Sequence, residues 1–197
     1  MSEIPPMRRA LTGSCHCGST RYVLFLQLPA TSNESCPPRE GEQKIQRCNC
    51  TTCHKLGHFH LKPANPFTDF MLLSPLDPFE SLGDYRTSDQ LLHFFFCKTC
   101  GVRCLIFYGS GETVDIDLGA AGVKGYEVGN TTRVWRAKDV PPGTYISVNG
   151  HTIDAGQDGF DMRELTEKKN VMYIDNYFEG EKKRPARWDG PHPDGSY

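Results

Sequence analysis

Seven of the chain's nine cysteines fall into three tight groups, Cys15-x-Cys17, Cys48-x-Cys50-x-x-Cys53 and Cys97-x-x-Cys100. Such spacing lets a short stretch of backbone present several sulfurs to one point. In a reducing compartment, thiols paired this closely are metal ligands or reactive groups more often than disulfides. The odd total also leaves a disulfide framework one partner short. Zinc takes four soft or borderline donors in a tetrahedron, so the clustered thiols make one complete site and leave three ligands over.

Cys15 and Cys17 could join Cys97 and Cys100, or either pair could combine with part of the central group. The places the outer pairs occupy favour the first division. Gly13-Ser14-Cys15-His16-Cys17-Gly18 leads into Thr20 to Leu28, a β-prone stretch, and Cys97-Lys98-Thr99-Cys100-Gly101 joins the apolar runs Leu91 to Phe96 and Val102 to Tyr108. The latter has the outline of a zinc-ribbon hairpin. One structural ion on Cys15, Cys17, Cys97 and Cys100 would staple two distant hairpins together.

Cys48, Cys50 and Cys53 then supply three ligands from one loop, and an open fourth position is what separates a catalytic zinc from a structural one. Three thiolates leave the unit with a net negative charge, which weakens its power to acidify water. A soft centre with a vacancy is better matched to an incoming thiol held beside an aldehyde. His58 is a candidate general base, because imidazole titrates near neutral pH. The alternative is a second closed site, sealed by His54, His58 or His60. Cys36 reads as an exposed loop thiol and Cys104 as core packing.

A length of 197 residues suits one domain, at most two. With 38% hydrophobic and 23% charged residues the chain should bury a core. Lys+Arg at 22 against Asp+Glu at 24 gives a formal charge of −2 and no global field to gather nucleic acid. The basic run Lys182-Lys183-Arg184, with Arg187, reads as a solvated tail. Tyr22 to Leu26 is far shorter than the roughly 18 residues of a membrane span. Met1 to Ala10 lacks a secretory pattern, so a cytoplasmic protein is expected.

Residues 1–10 read as an N-terminal arm, 11–178 as the zinc-binding β domain and 179–197 as a C-terminal arm. Within the domain, 29–46 is polar and Pro-rich, an inserted mobile loop. Pro63, Pro66, Pro75 and Pro78 exclude a long helix between them, leaving short strands around Phe70 to Ser74 and Phe79 to Leu82. Thr113 to Leu118 alternates as a strand should. Asn149-Gly150 predicts a type I′ hairpin turn inside Tyr145 to Ile153. Asp161 to Lys169, with Asp161 as cap, is the one good helix candidate.

GSCHCGSTRY, CNCTTCHKLG and FFFCKTCGVR, in this order, resemble the three signature segments of the glutathione-dependent formaldehyde-activating enzyme family, which includes centromere protein V relatives. The likeness spans roughly Leu11 to Val148, and the ordered combination is far more specific than a lone C-x-x-C. It implies a mostly β, Mss4-like fold with short helical segments and two zinc ions. A structural zinc would sit on Cys15, Cys17, Cys97 and Cys100, and a catalytic one on Cys48, Cys50 and Cys53. It further implies carbon–sulfur lyase activity on a small-molecule thiol and aldehyde or their adduct, with a homodimer compatible. Two features depart from the family pattern: the long spacing between Cys17 and Cys48, and the histidines at 58 and 60 where small or apolar residues are usual.

Overall fold

The computed structural model describes residues 5–87, 89–138, 143–178 and 180–193. Strands β1 (Met7–Ser14), β2 (Arg21–Leu28) and β3 (Lys44–Cys48) precede helix α1 (Thr51–Leu56). Next come β4 (Phe59–Lys62), β5 (Phe70–Ser74), helix α2 (Pro78–Ser81), β6 (Gly83–Arg86), β7 (His93–Phe96) and β8 (Arg103–Tyr108). β9 (Ser110–Asp117), β10 (Thr131–Lys138), β11 (Tyr145–Asn149), helix α3 (Met162–Glu167) and β12 (Met172–Ile174) complete the set. The architecture is mostly β with short helices, as expected.

The strands form a five-stranded sheet, β1-β2-β5-β10-β9, and a seven-stranded sheet, β12-β3-β4-β11-β8-β7-β6. Alternation along each strand sends one face into a shared core. Leu24, Leu26, Leu72 and Trp135 from the first sheet meet Phe59, Leu61, Phe95, Phe107 and Val148 from the second. The intervening positions of β2, Val23 and Phe25, pack on the other face of their sheet with Met71 and Val134, under Leu118 and Val123. Burial on both faces explains why Tyr22 to Leu26 is continuously apolar rather than alternating.

Several expectations are corrected. β1 begins at Met7, inside the segment assigned to an arm, and β3 begins at Lys44, inside the segment assigned to the inserted loop. Phe79 to Leu82 is not a strand. Asp77 accepts the backbone N–H groups of Phe79 and Glu80, and Pro78 opens the helical turn α2 that these bonds cap. Asn149-Gly150 does not turn a hairpin. Asn149 is buried, its side chain accepting from Phe59 N and His151 N and donating to Arg103 O, and a 3-10 turn follows at Gly150–Thr152. Gly150 is needed for close approach, since an added Cβ would strike the Phe59 ring.

Helix α3 does start at its Asp161 cap, but α1 and α2 are helices as well. The C-terminal arm, within its described residues, packs against the domain: Arg187 bonds the Tyr173 backbone in both directions, and Trp188 and His192 are buried. Residues 1–4, 179 and 194–197 of the two arms lie outside the described residues.

Gly13 sits directly opposite Tyr22 in the β1–β2 ladder, and the Tyr22 ring lies where a side chain at position 13 would go. The ring cannot swing away freely, because it is fully buried and its hydroxyl lies 2.7 Å from Thr152 Oγ1. Gly13→Ala is expected to cost about 1–3 kcal/mol of overpacking strain. The check is a lowered urea midpoint at an unchanged m-value.

Candidate metal centres

The two outer cysteine pairs sit in turns of the same construction. Cys15 N donates to Thr20 O across one and Cys97 N to Val102 O across the other, with Gly18 and Gly101 both at φ 75°. That left-handed conformation suits glycine, which is why each pair is followed by one. The first turn joins β1 to β2 in the five-stranded sheet, and the second joins β7 to β8 in the seven-stranded sheet. The fold brings the sulfurs of Cys15, Cys17, Cys97 and Cys100 mutually within 4.8 Å.

Cys15 Sγ lies 3.5 Å from Cys17 Sγ, which is 3.6 Å from Cys97 Sγ. Two sulfurs about 2.3 Å from a shared ion at the tetrahedral angle stand about 3.8 Å apart, so the set has the dimensions of a zinc–thiolate site. Ser19 holds the Cys17 thiol down to about 6 through its hydroxyl and its backbone N–H, whereas burial pushes Cys15 up. All nine cysteines are free, and none is in a disulfide.

The central group is built by β3, α1 and β4. Cys48 ends β3. Cys50 is the N-cap of α1, its sulfur accepting from Cys53 N at 3.3 Å, and Gly57 ends the helix at φ 59° with its N–H on Cys53 O and His54 O. This one-and-a-half-turn helix aims Cys53 inward. Cys48 and Cys53 are buried, while Cys50 is partly exposed. Hydrogen bonds from Cys48 and then Cys53 hold the Cys50 thiol far below its ordinary range. The partners go the other way: Cys48 is raised by Cys50, and Cys53 by Cys48 and Cys50. The opposite directions show that the three thiols interact, and a bound cation would satisfy all of them as thiolates.

Alternation on β4 puts Phe59 and Leu61 in the core and turns His58, His60 and Lys62 to the other face. There they meet Ser147 of β11, and this polar face is itself buried: His58 is 5%, His60 3% and Ser147 0% exposed. His60 Nε2 lies 3.2 Å from Cys53 Sγ, and Cys48, Cys53 and His60 form a second group of donor atoms mutually within 4.8 Å. His60 Nδ1 is 2.8 Å from Ser147 Oγ, and His58 Nε2 is 3.3 Å from the same oxygen. Burial lowers both imidazoles, His60 to about 3 and His58 well below its ordinary range, so both are neutral at neutral pH. Lys62, over the Tyr145 ring at 4.4 Å, is drawn down to about 8 by burial and then by Lys44.

His58, expected as a general base, therefore reaches the sulfurs only by way of Ser147 and His60. His54 is exposed on α1, and Cys36 is exposed beyond both clusters. Cys104 is buried as expected, its thiol pushed up to about 12 by burial. Ser147 and Tyr145 carry no motif, and only strand pairing brings them to the site.

Asn49 and Asp175 are equally silent in the sequence. Asn49, between two cysteines, donates to Asp175 Oδ1 at 2.7 Å and accepts the N–H groups of Asn176 and Tyr177. Asn176 Nδ2 in turn lies 3.3 Å from Cys48 Sγ. Arg184 donates to Asp175 Oδ2 at 2.7 Å. Arg184 and Arg187, read as parts of a solvated basic patch, are paired with Asp175 and Asp189.

Compared with protein-family models and with curated proteins, the chain matches none. Among solved structures, a Rhodobacter sphaeroides protein determined as a structural genomics target is similar at 16% identity and a TM-score of 0.40, over 79% of this chain and 94% of that one.

Arg184 holds the Asp175 carboxyl well below the usual carboxylate range. A depressed folded value means the stabilisation is complete above the unfolded carboxyl's pKa of about 3.9 and is lost as pH falls below it. Asp175→Ala is expected to cost about 3 kcal/mol at neutral pH, because it leaves Arg184 and Asn49 without their buried partner. In urea titrations at pH 7 and pH 3, the gap between wild type and variant should narrow at the lower pH.

Proposed function

We propose that the chain is a zinc-dependent carbon–sulfur lyase, adding a thiol to a carbonyl carbon or releasing it from the adduct. The observation that carries this reading is the central trio. Three sulfurs converge from one loop, two of them buried and the third, Cys50, at the rim where a small molecule can approach. The donor chemistry suits zinc, because soft thiolates and neutral imidazole are its preferred ligands. Cys15, Cys17, Cys97 and Cys100 would hold the structural ion, and Cys48, Cys50 and Cys53 the reactive one. The resemblance of the three cysteine segments to the glutathione-dependent formaldehyde-activating family supports the same division. Nine free thiols support a reducing, cytoplasmic setting.

A zinc ion at the trio would supply Lewis acidity and favour the thiolate form of a sulfur brought to it. The chain's own groups set the surroundings. Cys48 and Cys53 are closed off from water, and the clamp of Asn49 and Asp175 fixes the loop between Cys48 and Cys50. In the lyase direction the C–S bond of a hydroxy-thioether breaks, the hydroxyl loses its proton as the carbonyl forms, and the leaving sulfur gains one. No net oxidation occurs, so no redox partner is required.

One observation favours a second reading. The His60 imidazole beside Cys53 could make the central centre closed as well, leaving a non-catalytic zinc module that uses its surface for protein docking.

The deciding experiment assays cleavage of thiol–aldehyde adducts, S-(hydroxymethyl)glutathione first, by zinc-loaded protein. On the lyase reading, Cys50→Ala abolishes turnover while circular dichroism shows the fold retained, and chelation removes activity that zinc restores. Full activity in Cys50→Ala would refute the mechanism. Absence of turnover on any adduct, with both ions inert to added thiol, would favour the docking module.

A further inference from the structure

We infer that His60 is a donor of the central centre and that Ser147 is the positioning residue that aims it, so that an ion there is held by Cys48, Cys53 and His60 while Cys50 stays at the partly exposed rim. This rests on the reading that the central cysteines hold a metal, and it adds a nitrogen donor to that set.

Of the three histidines near the trio in sequence, only His60 has a ring nitrogen among the sulfurs, with Nε2 3.2 Å from Cys53 Sγ. A sulfur and an imidazole nitrogen bound to the same zinc stand about 3.5 Å apart, given bond lengths near 2.3 and 2.0 Å. The approach is not accidental crowding of a loose side chain. His58 N donates to Cys53 O at 3.0 Å, tying the end of α1 to the start of β4. His60 then sits opposite Gln46 on one side and Asn149 on the other, in the interior of the sheet. Its ring has no room to turn away, being almost wholly buried and edge-on to His58 at 4.5 Å between centroids.

The hydroxyl of Ser147 accounts for the ring's orientation. It has one hydrogen to give and two lone pairs to receive with. It has two hydrogen-bonding neighbours: His60 Nδ1 at 2.8 Å and His58 Nε2 at 3.3 Å. With one hydrogen to give, Ser147 can receive from His60 Nδ1–H and donate to His58 Nε2, which leaves a lone pair on His60 Nε2. Metal-binding histidines almost always have their second nitrogen fixed this way, by a hydrogen bond that selects tautomer and angle. On this view His58 is no base but the last link, its proton on Nδ1, a buried atom with no hydrogen-bond partner.

The test uses the full chain loaded with zinc, measuring metal content and the X-ray absorption spectrum at the zinc edge. The wild type should hold two ions and show the scattering pattern of a coordinated imidazole. That pattern should vanish in His60→Ala and persist in His54→Ala and in His58→Ala. Ser147→Ala should keep the imidazole but release the central ion to a competing chelator about 10- to 100-fold more readily, with the four-cysteine site unchanged.

Two ions with sulfur and oxygen neighbours alone would overturn the inference and leave a centre of sulfur donors standing. A single ion per chain, unaffected by Cys48→Ser, would instead overturn the reading of the trio as a metal centre. Persistence of the imidazole pattern in His60→Ala would assign the ligand elsewhere, and unaltered retention in Ser147→Ala would remove the positioning role. Should His60→Ala fail to fold, the wild-type spectrum together with the two other histidine variants decides the case.

Discussion

Two sheets that share a core each bring a pair of sulfurs to one end, and this convergence is the constraint on which the arrangement depends. Cys15 and Cys17 belong to a turn of the five-stranded sheet, Cys97 and Cys100 to a turn of the seven-stranded one, and the sulfurs meet within 4.8 Å. Bringing residues eighty positions apart to one point costs loop-closure entropy, which a cation bound there would offset as folding free energy. The matched glycines at φ 75° let each turn direct both of its sulfurs to the same side. With that end fixed, the apolar faces of β2, β5 and β10 lie against those of β4, β8 and β11.

The opposite face of the seven-stranded sheet is the unusual one. A sheet face away from the core is ordinarily solvated, yet here His58, His60, Gln46 and Ser147 are buried. Burying so many polar groups is costly unless they bond one another, and His58, His60 and Ser147 do so around the Ser147 hydroxyl, as Asn49, Asp175 and Arg184 do in their clamp. A stretch of core would be met more cheaply by apolar residues. The polar groups are therefore best understood as the lining that holds Cys48, Cys50 and Cys53 in a fixed relation. The same lining keeps His58 and His60 neutral, the state in which imidazole can donate to a metal.

Much of this was legible in the residues. The mostly β class, the strands at Phe70 to Ser74 and Thr113 to Leu118, and the cap at Asp161 follow from alternation and capping chemistry. Local rules failed where a long-range contact supplied the reason. Asn149-Gly150 has the composition of a hairpin turn, but its asparagine bonds three other segments and its glycine admits the Phe59 ring. Helix α1 escaped notice because it is short and its cap is a sulfur rather than a hydroxyl or carboxylate.

The spacing of the cysteines showed, without any structure, that seven of them fall into three groups, because closely spaced thiols share a turn, and the place of the outer pairs beside β-prone runs favoured joining those two pairs. Tertiary structure alone decided which histidine stands at the central sulfurs. His54, His58 and His60 all follow closely on Cys53 and His60 is the farthest of them along the chain, but α1 carries the first outward, Ser147 intercepts the second, and the pairing of β4 with β3 and β11 delivers the third to 3.2 Å. Strand register is a property of partners distant in sequence, and no local pattern encodes it.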